Sequence, residues 1–259
     1  MFTAIWSARG YLLLAILTFV VFLLIYTPIH FVWRFVEPIV PKGQVALDQI
    51  SGTVLHGSAR ISIANSDSFK TQWQLNPLSL LGGNLAANID VDNPRLRINA
   101  DVVASGIITG SITSVSLSNL DGYLNSQILL PYLRPLNADL QGEFELSDIG
   151  VTANPQNGQF SEATGRVLYS GGEVTAQLQR QRDTIKLPLM VGELSMDNET
   201  AIMMVSDESD NALGKLYMQP DGWGGVSVLK RALDATAQPW PDQAATADTV
   251  VFEVSHKIL

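Results

Sequence analysis

Residues 58–65 read SARISIAN, with Ala59, Ile61 and Ile63 at every second position and a different kind of side chain between them. Alternation with period two marks a strand with one covered face, because successive side chains on a strand point to opposite sides of the sheet. The pattern recurs in LAANIDVDN (85–93), RLRINADVV (95–103), GSITSVSLSNL (110–120), GEFELSDIGV (142–151), GRVLYSGGEVTAQLQRQ (165–181) and TVVFEVSHKIL (249–259). A retained polar face points to antiparallel pairing, since buried parallel strands read as continuous apolar runs. The expected fold is mainly β: an antiparallel, twisted sheet or open roll with one or two short helices.

Three segments read as helical. NPLSLLGG (76–83) is a short turn with Pro77 at its first position, and SQILLPYLRPL (126–136) is broken by Pro131 and Pro135. GGVSVLKRALDATA (224–237) places Val226, Leu229, Leu233 and Ala237 three or four apart, the spacing of an apolar helix stripe. QPWPDQAATAD (238–248) is the clearest loop. A weak internal echo links SGTVLHG (51–57), SGIITG (105–110) and TGRVLYSGG (164–172), each an apolar core between glycines. A repeated sheet module and chance recurrence in a glycine-rich β chain account for it equally well.

Upstream, no charged side chain occurs from Gly10 to Trp33, and residues 11–26 read YLLLAILTFVVFLLIY. At about 1.5 Å per residue that stretch reaches roughly 36 Å as a helix, more than the ~30 Å hydrocarbon core of a bilayer. The membrane contact is expected from Tyr11, Leu12, Leu13, Leu14, Phe19, Val20, Phe22, Leu23 and Leu24. The bulky residues that follow, TPIHFVWRFVEP, offer no small-residue cleavage site, so an uncleaved anchor is expected rather than a removed signal peptide. Trp6 and Tyr11 at one end, and Trp33 and Phe35 at the other, suit the two interfaces. A short cationic tail with Arg9 and no acid places the N-terminus in the cytoplasm. The division that follows is a tail at 1–9, a transmembrane anchor at 10–36, and an exported β-rich domain at 37–259. That domain carries all 25 acids and 14 of the 16 bases.

Composition narrows the function. The chain has 259 residues, 46% hydrophobic and 16% charged, with a formal net charge of −9, which argues against a polyanion such as nucleic acid as partner. Cysteine is absent, removing thiol catalysis and every cysteine-based metal site. His30, His56 and His256 are scattered without metal-ligand spacing. Ser227 and Lys230 form S-x-x-K on the expected helix, without the S-D-N and K-T-G that penicillin-recognising enzymes require. Asp90 and Asp92 share a strand face, but no calcium loop surrounds them. Residues 187–214 hold Glu193, Asp197, Glu199, Asp207, Glu208 and Asp210 with no base, a run read as solvated strand and loop or as a surface for a basic partner. Trp73, Tyr169 and Trp223 sit near glycine or a proline turn and are read as covers over bare backbone rather than sugar platforms. No cofactor, no metal and no catalytic group is expected.

One family fits this order of features. A short tail, one anchor, SGTVLHGSARI, then WQLNPLSLLGGNLAANI, GEFELSDIGV and GRVLYSGG together resemble the type II secretion system protein N family, bitopic inner-membrane proteins of the bacterial machine that exports folded proteins. The matching positions are Gly52, Gly57, Trp73, Leu75, Pro77, Leu80, Leu81, Gly83, Gly165, Tyr169 and Gly171. The family tends to carry tryptophan inside the first glycine strand, where this chain has Leu55 and His56. The resemblance implies no enzymatic activity, no cofactor, a periplasmic β domain, and a role as an accessory component near other secretion components. A second reading is an open β-roll similar to AsmA-like or LptC-like periplasmic proteins, with lipid in a groove between sheet faces. A continuous apolar trough would favour lipid, and a closed core would favour the scaffold.

Overall fold

The structure is a computed structural model that describes residues 15, 18, 19, 22, 26–31, 45–63, 67–107, 110–134, 137–178, 181–240, 242 and 244–257. The chain first folds into β1 (Val45–Gly52), β2 (His56–Ile63), β3 (Ser68–Asn76), β4 (Asn84–Asn93), β5 (Leu96–Ser105) and β6 (Ser114–Asn125). After α1 (Leu130–Leu133) come β7 (Ala138–Leu140), β8 (Glu143–Ala153), β9 (Phe160–Tyr169), β10 (Gly172–Leu178) and β11 (Gln181–Leu187). The last part comprises β12 (Met190–Asp197), β13 (Thr200–Ser206), β14 (Ala212–Met218), β15 (Trp223–Leu229), α2 (Lys230–Ala235) and β16 (Val250–Lys257).

Thirteen of these strands form one antiparallel sheet in chain order, while β7, β10 and β11 leave it as a separate three-stranded sheet. The main sheet is a meander in which every strand pairs with the next one available, as alternation with a single polar face implies. Register converts that alternation into two opposed faces. One row of directly opposed residues, Ala59–Thr71–Val91–Ile98–Gly122–Leu146–Val167–Gly192–Val205–Gly214–Val228–Phe252, crosses twelve strands and is apolar or glycine everywhere except Thr71. The row on the other face begins Asp48–Arg60–Lys70–Asp92–Arg97–Tyr123–Glu145, so charges of both signs lie against one another along the solvent side.

The apolar face is not covered evenly. Ala59, Phe69, Leu96, Ala100, Ala163 and Tyr169 are buried, whereas Leu216, Val226, Phe252 and Val254 on β14 to β16 are exposed. The chain presents 16871 Å² to solvent, against about 11,000 Å² for a compact chain of this mass. The apolar face is therefore better covered in the earlier strands than towards β16. An extra residue interrupts β6 at Asn119 and β8 at Asp148, both at positive φ, and the Asp148 N–H donates to Asp121 Oδ1 at 2.8 Å across the crease. Bulges of this kind bend a sheet and increase its twist.

Several expectations need correction. Residues 224–229 are strand rather than helix, because Val226 and Val228 share the apolar face and Gly224 and Gly225 disfavour a helix; only Lys230–Ala235 is helical. SGTVLHG is a hairpin turn, with Gly52 opposite Gly57, rather than a strand core. GRVLYSGGEVTAQLQRQ splits at Ser170 and Gly171 into β9 and β10, which belong to different sheets. Pro131 opens α1 instead of breaking it. The three echoed segments fall in a turn, a strand end with its loop, and the interior of β9, so they do not repeat one module.

Helical residues near the N-terminus include Ala15, Thr18, Phe19, Phe22, Tyr26 and residues 29–31, with the rings of Phe22 and Tyr26 4.4 Å apart. Phe19 and Phe22 are exposed. Tyr11, Leu12, Leu13, Leu14, Val20, Leu23 and Leu24 lie outside the described residues. Among the described residues, no helix is long and apolar enough to cross a membrane. The segment meets the sheet where Val54 N–H donates to Thr27 O at 3.1 Å and Pro28 bridges Thr53.

Candidate interaction surface

The residues singled out by motif divide into two groups. Gly52, Gly57, Trp73, Leu75, Pro77, Leu80, Leu81 and Gly83 gather at the end of the sheet where the β1–β2 and β3–β4 connections lie. A Cβ on Gly57 would come 2.2 Å from Trp73 Cζ2, so glycine there admits the indole directly over the backbone. Trp73 Nε1–H donates to Val54 O at 3.1 Å, and the Leu75 N–H donates to Leu55 O at 2.7 Å. Both bonds fasten the turn onto β3 and bury Leu55. Beyond it, the Asn76 side chain accepts from the Leu78 N–H at 3.0 Å and caps a 3-10 turn over Pro77–Gly82. Pro77 opens that turn, and Gly83 in the left-handed region closes it by donating its N–H to Leu80 O.

Gly165, Tyr169 and Gly171 form the second group, on and just after β9. Gly165 has φ 126, and a Cβ there would meet Ile149 Cα at 2.6 Å, so it lets β9 cross the bulge of β8. Tyr169 is buried, stacks 4.8 Å from Phe144 and donates its hydroxyl to Gln141 O; burial pushes its phenol pKa up. Gly171, at φ 80, turns the chain out of the main sheet. The expectation of aromatic covers is met at Trp73 and Tyr169. At Gly225 the cover is Tyr217, 2.4 Å from the position of a Cβ, rather than Trp223, which is exposed.

The polar face holds an amide–carboxylate ladder. Asn88 Nδ2 donates to Asp101 Oδ1 at 3.0 Å and to Asn99 Oδ1 at 3.2 Å, and Asn119 Nδ2 donates to Asp101 Oδ2 at 2.9 Å. The Asn119 and Asn88 donors, in that order, hold the Asp101 carboxyl below its usual pKa. Asp92 pairs with Arg97 at 3.0 Å on an exposed surface, which accounts for half of the Asp90–Asp92 pair as solvated charge. Two open cavities, of about 620 and 430 Å³, involve this face; the first takes in Gln74, Asn88 and Asp101, the second Arg97, Asp121 and Glu145.

The groups considered for chemistry do not converge. His30, His56 and His256 are exposed on separate elements. Ser227 is buried on β15, while Lys230 Nζ on α2 is bound to Asp234 at 2.8 Å. In the acidic run, Asp207 accepts from the Ser209 and Asn211 N–H groups and orders its own turn; these bonds, Asn211 foremost, hold its carboxyl below the usual range. Among the described residues, no group of three His, Asp or Glu side chains could hold a metal ion.

What sequence reading missed is where the apolar face ends. Leu194–Met203–Leu216–Val226–Val254 forms a row in register from β12 to β16, next to the row that ends at Phe252. Val250, Phe252 and Val254 are 49%, 55% and 51% exposed on the strand at the sheet margin. The alternation in TVVFEVSHKIL was the available signal, but alternation alone does not say which strand lies outermost. The opposite margin, β1, has a bulge between Asp48 and Ser51 with Gln49 at φ 53, which disrupts pairing along that edge. The apolar margin is β16, whose pairing with β15 also shifts register, between Val228 and Leu229.

Residues 43–245 match the family model described as Type II secretion system (T2SS), protein N. No curated protein matches the chain, and no solved structure does. The match spans β1 to β15 and α2 and stops short of β16.

Proposed function

We propose, since this chain belongs to the Type II secretion system protein N family, that its accessory, non-catalytic role is performed by the margin of its sheet. The domain at 37–259 stands in the periplasm on a single inner-membrane anchor at 10–36, with residues 1–9 in the cytoplasm. It holds another secretion component by β-augmentation on β16. The observation that carries this reading is the continuation of the covered apolar face onto exposed Leu216, Val226, Phe252 and Val254 beside a free edge. A partner strand paired to β16 would satisfy its outward N–H and C=O groups and continue the two apolar rows by one strand. Burying a side chain of this class contributes about 1.5–3 kcal/mol, enough for a few residues to anchor a contact. The lipid-groove reading draws on the same uncovered apolar rows of β14 to β16, while the cavities of about 620 and 430 Å³ on the polar face each include charged side chains and do not serve it.

The test is photo-crosslinking in intact cells from a benzophenone side chain at Phe252, with Ser58 on the polar face as comparison. Adducts with other secretion components at Phe252 and not at Ser58 support the reading. Adducts with lipid alone support the groove, and none at Phe252 removes the margin as a contact site.

A further inference from the structure

Because every neighbour in the main sheet is antiparallel, its connections alternate between two ends. The end that receives Thr27 and Pro28 carries the turns at 53–55, 77–83, 106–113, 154–159, 198–199 and 219–222. The first four, TVL, PLSLLGG, GIITGSIT and NPQNGQ, contain no charged residue, while the last two carry Glu199 and Asp221. The connections at the opposite end all carry charge, among them Asp67 and Arg95, which pair at 2.8 Å, and the Asp207–Glu208–Asp210 turn. On the four uncharged turns Leu78 is 72% exposed, Leu81 70%, Ile112 46% and Ile107 39%. The turns form one connected rim: Ile107 N–H donates to Gly83 O at 3.2 Å, and Gln156 Nε2 donates to Ser111 Oγ at 2.6 Å and to Ile112 O at 3.3 Å.

We infer that this rim is a lipid-docking surface, and that Leu78, Leu81, Ile107 and Ile112 rest in the interfacial layer of the same membrane that holds the anchor. The inference rests on the anchor proposed above. Thr27, inside the anchor proposed at 10–36, accepts from the Val54 N–H of the rim, so the rim is tied directly to the outer part of that segment. Exposed aliphatic side chains on turns that carry no charge of their own match the chemistry of the headgroup and acyl-chain boundary, which apolar faces enter by about 5–10 Å. Docking there sets the opposite end of the sheet, with Asp67, Arg95 and Asp207, away from the bilayer.

The natural chain has no cysteine, so single-cysteine variants report one position each. Full-length Ala15→Cys, Leu81→Cys, Ile112→Cys and Ser209→Cys chains, labelled with bimane, are reconstituted into phosphatidylethanolamine–phosphatidylglycerol vesicles with and without brominated acyl chains. The expected result is loss of emission in brominated lipid at positions 15, 81 and 112, and none at 209. Loss at 15 but not at 81 and 112 overturns the rim and leaves the anchor standing. No loss at 15 overturns both, and loss at 209 as well overturns the upright placement.

Discussion

At Gly57 a single hydrogen atom decides whether the first hairpin closes. The Trp73 indole occupies the space a Cβ would need, and Ser51 O lies 2.9 Å from it on the other side. Gly57→Ala is expected to cost roughly 1–3 kcal/mol, as overpacking at a tight site does. Urea unfolding of the full-length chain in detergent checks it, and combining it with Trp73→Phe should cost less than the sum of the two, since they share one contact. Asp101 gives a second test through pH. Its folded pKa lies below the unfolded value because Asn119 and Asn88 donate to the carboxylate. The stabilisation is therefore present above the ordinary aspartate pKa of 3.8 and is lost as pH falls through the depressed folded value. Asn119→Gly, which removes the amide yet accepts the φ of 49 at the crease, should lower the melting temperature at neutral pH and make little difference once the carboxyl is protonated. An equal loss at both pH values would show that the amide acts through packing instead.

Among elements, strands were readable and their partners only partly so. Alternation places hydrophobic side chains on one face whatever the neighbour, so SARISIAN, LAANIDVDN and GEFELSDIGV announced strands correctly. GGVSVLKRALDATA misled because Val226, Leu229 and Leu233 satisfy a helical spacing by coincidence, while Val226 and Val228 serve one sheet face. SGTVLHG misled because Leu55 is apolar for a reason outside the strand pattern: it is buried in the turn, which the Trp73 indole fastens through the Val54 carbonyl. The creases at Asn119 and Asp148 left no signal beyond residue types that tolerate positive φ. The aromatic covers at Trp73 and Tyr169 were legible; the site at the margin was not, since it depends on strand order. Replacing Phe252 and Val254 together by serine should change stability by roughly 1 kcal/mol or less, because both are half-exposed. The same pair should abolish the Phe252-side contact, measured by copurification of secretion components, and retention of that contact would count against β16.

For the molecule as a whole, the sheet is a long lever with two unlike ends and one open side. Its apolar face holds buried side chains on β2 to β9 and exposed ones on β14 to β16. On the function proposed above, such a shape suits a part held between a membrane and a neighbour. Alkaline extraction of cell membranes should leave the intact chain in the pellet, and protease added from the periplasmic side should degrade the domain beyond residue 36. Release of a trimmed, soluble polypeptide would refute the anchor.

The most direct measurement is hydrogen exchange at the amides of β16, compared between the full-length chain alone in detergent and the same chain in membranes that hold the complete secretion machinery. A partner strand on the margin gives slower exchange at the outward amides of Val250–Lys257, with β12 and β13 unchanged. Equal exchange at β16 in both samples would contradict augmentation of this edge.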